Sequence, residues 1–334
     1  MPPSIAAPLF AVSLAGTLAA AAFFARRLDR VGLRLGLPEA MLGLLTAAAA
    51  DAPEVAAAGG ALGKGQHSVA GGVVVGSNAF NLAAMRGGSA MVAAGLRTRR
   101  ETLLLEGVVA LWIAGVVSLL AEGTIGAPVA LALLACVAVP YVALLALGER
   151  HAGRLPLPPG IVRFLRRTFG ERHRPEHDGE HHGEVVLLTV LLLGSALAAI
   201  VAGSIGMVTA AVDLADSWSV PRALVGVLVL AVLTSLPNAA TGIRLGLQRR
   251  GSALVSETLN SNSINLIAGI AVPALVIGLG PLSRLDAFDL VWVASMTAAA
   301  LAMMARRRGT GKAGGLLLVG LYGVFVAVQL AALA

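Results

Sequence analysis

Val-Gly-Ser-Asn-Ala-Phe-Asn, Val75–Asn81, places three polar side chains inside an apolar run. Nearly two hundred residues later Leu-Asn-Ser-Asn-Ser-Ile-Asn, Leu259–Asn265, places five. Both carry Ser-Asn-x-x-Asn, and both lie where the surrounding sequence reads as membrane helix. A polar pattern at that depth is costly unless its groups find partners. Its appearance twice therefore demands a structural or chemical reason.

The rest of the chain agrees with the membrane setting. Of 334 residues 57% are hydrophobic and only 13% charged, and the mean hydropathy is +0.85. Apolar runs of ~20 residues recur from end to end, the length a helix needs to cross ~30 Å of hydrocarbon. The single cysteine, Cys136, excludes a disulfide framework and a cysteine-based metal site. The net charge of +7 sits in short loops between apolar runs, which reads as topology signal and not as a nucleic-acid surface. Arginine greatly outnumbers lysine and alanine and glycine are abundant, a bias expected of a GC-rich bacterial genome and hence of a plasma (inner) membrane protein. The N-terminus lacks a basic n-region. Its positive charges follow the first apolar run, so an uncleaved first helix is expected.

Ten spans are expected, over residues 4–25, 39–62, 68–93, 102–121, 126–148, 185–212, 221–245, 252–279, 287–305 and 314–333. Every loop after an odd-numbered span is basic. The loops after even-numbered spans hold only Lys64, Arg222 and Arg284. The positive-inside rule then places the odd loops in the cytoplasm and both termini outside. The fold class is all-α and polytopic, as two inverted five-helix repeats. Residues 1–148 form the first repeat, 149–184 a cytoplasmic loop rich in His and Arg, and 185–334 the second repeat. That loop carries His173, His177, His181 and His182. It reads as a solvated tract, with transition-metal sensing as the sharper alternative. Its segment Leu155–Gly170 can lie on the membrane surface with its arginines toward headgroups.

The halves match each other. Pro38-Glu-Ala and Pro221-Arg-Ala open corresponding spans, and Pro53-Glu54 answers Pro237-Asn238. With five spans per half the second copy enters the bilayer upside down, a recurring plan among secondary transporters. The interior prolines each remove an N–H, and the carbonyls they free are candidate ligands for a hard cation.

On the second span Asp51 and Glu54 share a face, and on the third Ser77 and Asn81 do. The second half adds Thr234, Ser235 and Asn238, then Glu257, Ser261 and Asn265 at i, i+4, i+8. Ionised acids at mid-membrane cost ~2.5–3.5 kcal/mol each, so three of them point to a function. Carboxylate, amide and hydroxyl oxygens without sulfur or imidazole suit calcium, sodium or a similar hard cation.

These segments resemble the two alpha repeats of the sodium/calcium exchanger (cation/calcium antiporter) family, which read Gly-Thr-Ser-x-Pro-Glu followed by Gly-Ser-Asn-x-x-Asn/Asp. Here Ala50–Glu54 and Thr234–Asn238 match the first part, and Gly76–Asn81 and Asn260–Asn265 the second. The resemblance covers the whole chain. It implies exchange of calcium for sodium or protons by alternating access, the first and sixth spans sliding against the rest. It also implies cation sites lined by Glu54, Ser77, Asn81, Thr234, Ser235, Ser261 and Asn265, with no cofactor. Three departures stand out: Ala50-Asp51 replaces Thr-Ser, Asn238 replaces the second repeat's acid, and Glu257 stands where the family has Asn. The acids are redistributed, and three remain, enough for one divalent cation.

Other readings stay open beside this one. Buried Ser and Asn often only join membrane helices. Asp51 can pair with Arg86, or Arg86 can snorkel to the cytoplasmic surface. Glu106 and Asp213 read as interfacial. Proton-coupled exchange of another metal, and a transport-inactive cation sensor on the same fold, are the competing functions. An enzyme is not expected, since no intramembrane histidine or nucleophile–base set is present. The partners are membrane lipid and inorganic cations.

Overall fold

The computed structural model describes residues 1–34, 39–93, 98–152, 182–276, 278, 284–306 and 309–333. Ten long helical segments occupy them: α1 Pro3–Arg34, α2 Glu39–Gly63, α3 His67–Val92, α4 Arg100–Ala121, α5 Ala127–Ala152, α6 His182–Ser217, α7 in two halves Arg222–Thr234 and Leu236–Leu247, α8 Gly251–Val276, α9 Arg284–Met304 and α10 Lys312–Leu333. Eight of them are long and apolar enough to cross a membrane, and the bent pair of α7 makes nine. The remaining segment, α2, carries Asp51 and Glu54 in its middle. The expected tract His173–His181 lies outside the described residues, as does the loop segment before it; His182 begins α6.

Burial sorts the helices. Of the apolar stretch of α3, 72% is buried, against 22% in each of α1, α5, α6 and α10. The helix bearing the first polar motif is therefore central, and α1, α5, α6 and α10 surround it with apolar side chains such as Val12, Val139, Leu191 and Leu317 turned outward. α1 lies along α6, and the contact is close because both offer small residues. A Cβ at Gly203 would stand 2.3 Å from Thr17 Oγ1, and one at Gly206 2.6 Å from Ser13 Oγ. The same device joins the halves at the centre, where a Cβ on Gly76 of α3 would come within 2.2 Å of the Val227 carbonyl of α7.

Three of the inner helices depart from α geometry. α3 turns π-helical over Leu82–Gly88, just after Asn81, and α8 over Ile267–Ala271, just after Asn265 and Leu266. α7 is π-helical over Val225–Leu230 and then bends by 45° at Ser235, two residues before Pro237. Wide turns of this kind cluster at functional positions because they re-aim the side chains around them. The interior prolines behave differently in the two halves. Pro237 opens the second half of α7, whereas Pro53 sits inside the continuous helix α2.

Candidate cation site

The two polar motifs meet at the centre. Asn78 Nδ2 donates to the Asn262 carbonyl at 3.2 Å, and Asn262 Nδ2 donates back to the Asn78 carbonyl at 3.3 Å, the residues lying 184 apart in sequence. This reciprocal clasp joins α3 to α8 and sets the flanking Ser77, Asn81, Ser261 and Asn265 around a shared interior. Asn78, absent from the residues expected to form the site, is thus one of its two anchors; its position in the repeated Ser-Asn-x-x-Asn was the available signal.

Asp51 and Glu54 are buried in α2 and face α7 and α8, as their spacing implies. Asp51 Oδ1 accepts from Asn238 Nδ2 at 2.7 Å and from Ser261 Oγ at 2.6 Å. Glu54 Oε1 accepts from Ser235 Oγ and, at 3.1 Å, from Asn238 Nδ2, and Glu54 Oε2 accepts from Asn265 Nδ2. Asn265 Nδ2 also reaches Asn78 Oδ1 at 3.2 Å, and Asn81 Nδ2 donates to Ser261 Oγ at 3.1 Å. The bend in α7 serves this arrangement, because Ser235 stands at the break and Asn238 in the first turn after it.

Buried oxygens here without a hydrogen-bond partner include Asp51 Oδ2, Asn81 Oδ1 and Asn238 Oδ1, and at the clasp Asn262 Oδ1. All are acceptors, and they come from α2, α3, α7 and α8. An unpaired buried acceptor costs about 1–3 kcal/mol, and a hard cation is the partner that satisfies several at once. The residues present therefore fit a cation with oxygen preference.

The other expected residues stand further off. Ser77 Oγ donates to the Ala231 carbonyl at 3.4 Å and Thr234 Oγ1 to the Leu230 carbonyl at 2.8 Å, so both hydroxyls serve the backbone of α7 where it turns. Glu257 is buried with its Oε1 unpartnered, and no hydrogen bond links it to the carboxylates. Its electrostatic neighbours are Arg244, in the second half of α7, and Arg250, just before α8. The alternative Asp51–Arg86 pair does not form. Arg86 is fully buried and donates to Thr310 Oγ1 at 3.1 Å, so it does not snorkel either. Asp213 does stand near a helix end, 3.1 Å from the N-terminal amine. Glu106 overturns the interfacial expectation: it is 3% exposed, bonded to Tyr141 and Ser256. Sequence position near a span end gave no sign that α5 and α8 would cover it.

One contact ties the outer helices to this centre. Ser204 Oγ of α6 donates to the Pro53 carbonyl at 3.3 Å, one residue before Glu54. Among the described residues no three His, Cys, Asp or Glu side chains gather into one metal-binding group, so the candidate site is a mixed set of carboxylate, amide and hydroxyl oxygens.

Comparison with known proteins follows the same lines. The profile of the family described as sodium/calcium exchanger protein matches residues 5–146 and 188–331, one stretch in each half. The fold is similar to that of the sodium-calcium exchanger NCX_Mj soaked with 10 mM Na+ and zero Ca2+, at 16% identity and a TM-score of 0.62, covering 97% of this chain and 99% of that one. It is also similar to native YfkE, at 17% identity and a TM-score of 0.66, covering 95% and 90%. NCX_Mj soaked with 2.5 mM Na+ and 10 mM Sr2+ gives 16% identity and a TM-score of 0.62, over 97% and 99%. No match was found among curated proteins. With both halves matched over most of their length, the chain belongs to the sodium/calcium exchanger protein family, whose members are cation antiporters.

Proposed function

We propose that this protein is a secondary antiporter that moves calcium across the bacterial plasma membrane in exchange for sodium or protons by alternating access, with both termini outside and the loop 149–184 in the cytoplasm. The observation that carries this reading is the set of three unpartnered acceptor oxygens, on Asp51, Asn81 and Asn238, beside two buried carboxylates. Without a cation, the donors of Ser235, Asn238, Ser261 and Asn265 hold the carboxylates. When calcium enters, these donors rotate away and offer oxygens in their place: hydroxyl lone pairs from the serines and amide carbonyls from the asparagines. Exchange of partners keeps the charge satisfied throughout, which keeps the barrier low.

The sliding of α1 and α6 would reach the site through Ser204 and the Pro53 carbonyl, since that contact is one residue from Glu54. A stripe of Gly203 and Gly206 against Ser13 and Thr17 lets α1 travel with α6 as a unit. Asn238, where the family has an acid, favours a second reading in which the protein binds a cation without transporting it. Flux separates the two. Calcium uptake into proteoliposomes, driven first by a sodium gradient and then by a pH gradient, is expected for the wild type and lost in Glu54→Gln. Binding without uptake under either gradient would establish the sensor, and absence of both would remove calcium as the ligand.

A further inference from the structure

A second buried polar group lies apart from the cation site, and it closes on itself. Glu106 of α4, Tyr141 of α5, and Ser256 and Asn260 of α8 form a ring. Tyr141 Oη stands 2.6 Å from Glu106 Oε2 and 2.9 Å from Asn260 Oδ1. Ser256 Oγ stands 2.5 Å from Glu106 Oε1 and 3.3 Å from Asn260 Nδ2. Those are four contacts, and each needs one hydrogen. Tyr141 and Ser256 bring one hydroxyl hydrogen each. Asn260 brings one N–H, because its amide presents nitrogen to one neighbour and oxygen to the other. Reversing the amide moves that hydrogen to the other contact and leaves the total at three. The fourth must sit on the carboxyl of Glu106. An ionised carboxylate would also be expensive here, since all four residues are buried and the helices face lipid.

Among the described residues no cationic side chain pairs with this carboxyl, whose partners are Tyr141 and Ser256. Glu257, next to Ser256, is the single acid of α8, and on α9, which packs on α4, Leu301 meets the Gly107 position. Asp286 and Asp289 lie near the start of α9, where Asp289 is held by Gln329 of α10. Asp51 and Glu54, on α2, are engaged by other residues of α8.

We propose that Glu106 is a proton-binding site of this exchanger, distinct from the cation site and coupled to it through α8. The coupling is covalent and short. Asn260 closes the ring, and its chain neighbour Ser261 donates to Asp51. When Ser261 turns from Asp51 to take a cation, the backbone at Asn260 shifts and the ring opens. Opening exposes the carboxylic acid to water, where it gives up its proton; when the cation leaves, the ring reforms and the proton returns. Glu106 and the cation site are then loaded in opposition, the relation that counter-transport needs. This rests on the antiporter reading above.

The test uses infrared difference spectroscopy on the purified full-length protein, with calcium binding followed in the same sample. The wild type is expected to show a carboxylic-acid carbonyl band that falls when calcium is added. Glu106→Gln supplies an N–H in place of the acid hydrogen and so keeps four hydrogens for the four contacts. It is expected to fold, to bind calcium, to lack that band and to lose pH-gradient-driven uptake. Tyr141→Phe, which opens the ring without removing the acid, is expected to weaken the calcium-dependent change. Calcium binding with an unchanged acid band, or pH-driven uptake that persists in Glu106→Gln, would overturn the proton site while leaving the antiporter reading intact. Failure of the wild type to bind calcium would overturn both.

Discussion

The two halves match in helix order and differ in charge. α2 runs unbroken through Pro53 and carries both acids of the centre, Asp51 and Glu54. Its counterpart α7 bends at Ser235 and offers only neutral groups there. Every described hydrogen bond received by the two carboxylates from another helix comes from the second half, from Ser235, Asn238, Ser261 and Asn265. The repeat has therefore been divided by role. One copy holds the negative charge on a rigid helix, and the other brings adaptable ligands on helices whose α geometry is interrupted. A buried carboxylate is tolerable only while donors or a cation face it, so the neutral half is what allows the charged half to exist without ligand.

Breaking the charged half should have the largest effect. Glu54→Gln removes a carboxylate held by three donors, and a loss of about 3–5 kcal/mol in calcium affinity is expected from deleting one partner of a buried charge. Titration calorimetry reads it. Asn238→Asp moves charge into the neutral half, where the amide now lies 2.7 Å from Asp51 Oδ1. It should cost about 2–4 kcal/mol of calcium-free stability through unpaired like charges, and calcium should recover most of it. Melting temperatures with and without calcium give the comparison. Ser235→Ala takes one donor from Glu54, a hydrogen bond to a charged group worth about 1.5–3 kcal/mol, and a loss of that size in calcium-free stability, read by thermal unfolding in detergent, is its signature.

The clasp supplies a control in which the halves should behave alike. Asn78→Ala and Asn262→Ala each remove one of two reciprocal bonds, and each should lower stability by about 1 kcal/mol, as read by thermal unfolding in detergent. Unequal losses would mean the asymmetry extends to the scaffold. Ser204→Ala should have the smallest effect on stability, about 0.5–1 kcal/mol, because it touches only the Pro53 carbonyl. Its mark would be a slower uptake rate at nearly constant calcium affinity.

Much of this was legible in the chain. Asp51, Glu54, Ser235, Asn238, Ser261, Asn265 and Asn81 are brought together as their spacing and the repeated motif imply, because i, i+3 and i, i+4 positions share a helix face wherever the helix is placed. Spacing is a weaker guide over longer reach. Glu257 and Asn265 are eight residues apart, about 12 Å along the axis and some 80° around it, so one ion cannot touch both. The break in α7 and the continuity of α2 look alike in sequence, since each has an interior proline. Glu106 was misplaced for a related reason. Its depth depends on Tyr141 and Ser256, residues of other helices, and no periodicity within α4 announces them.

The most direct test of the divided site is to locate the ion. Crystals soaked in calcium, or in strontium for its stronger anomalous signal, would show where the cation sits. The account predicts a single peak within about 2.3–2.6 Å of Asp51 Oδ2 and of the amide oxygens of Asn81 and Asn238, with Glu54 beside it. A peak held instead by Glu257 or Glu106, with the donors still closed on Asp51 and Glu54, would contradict it.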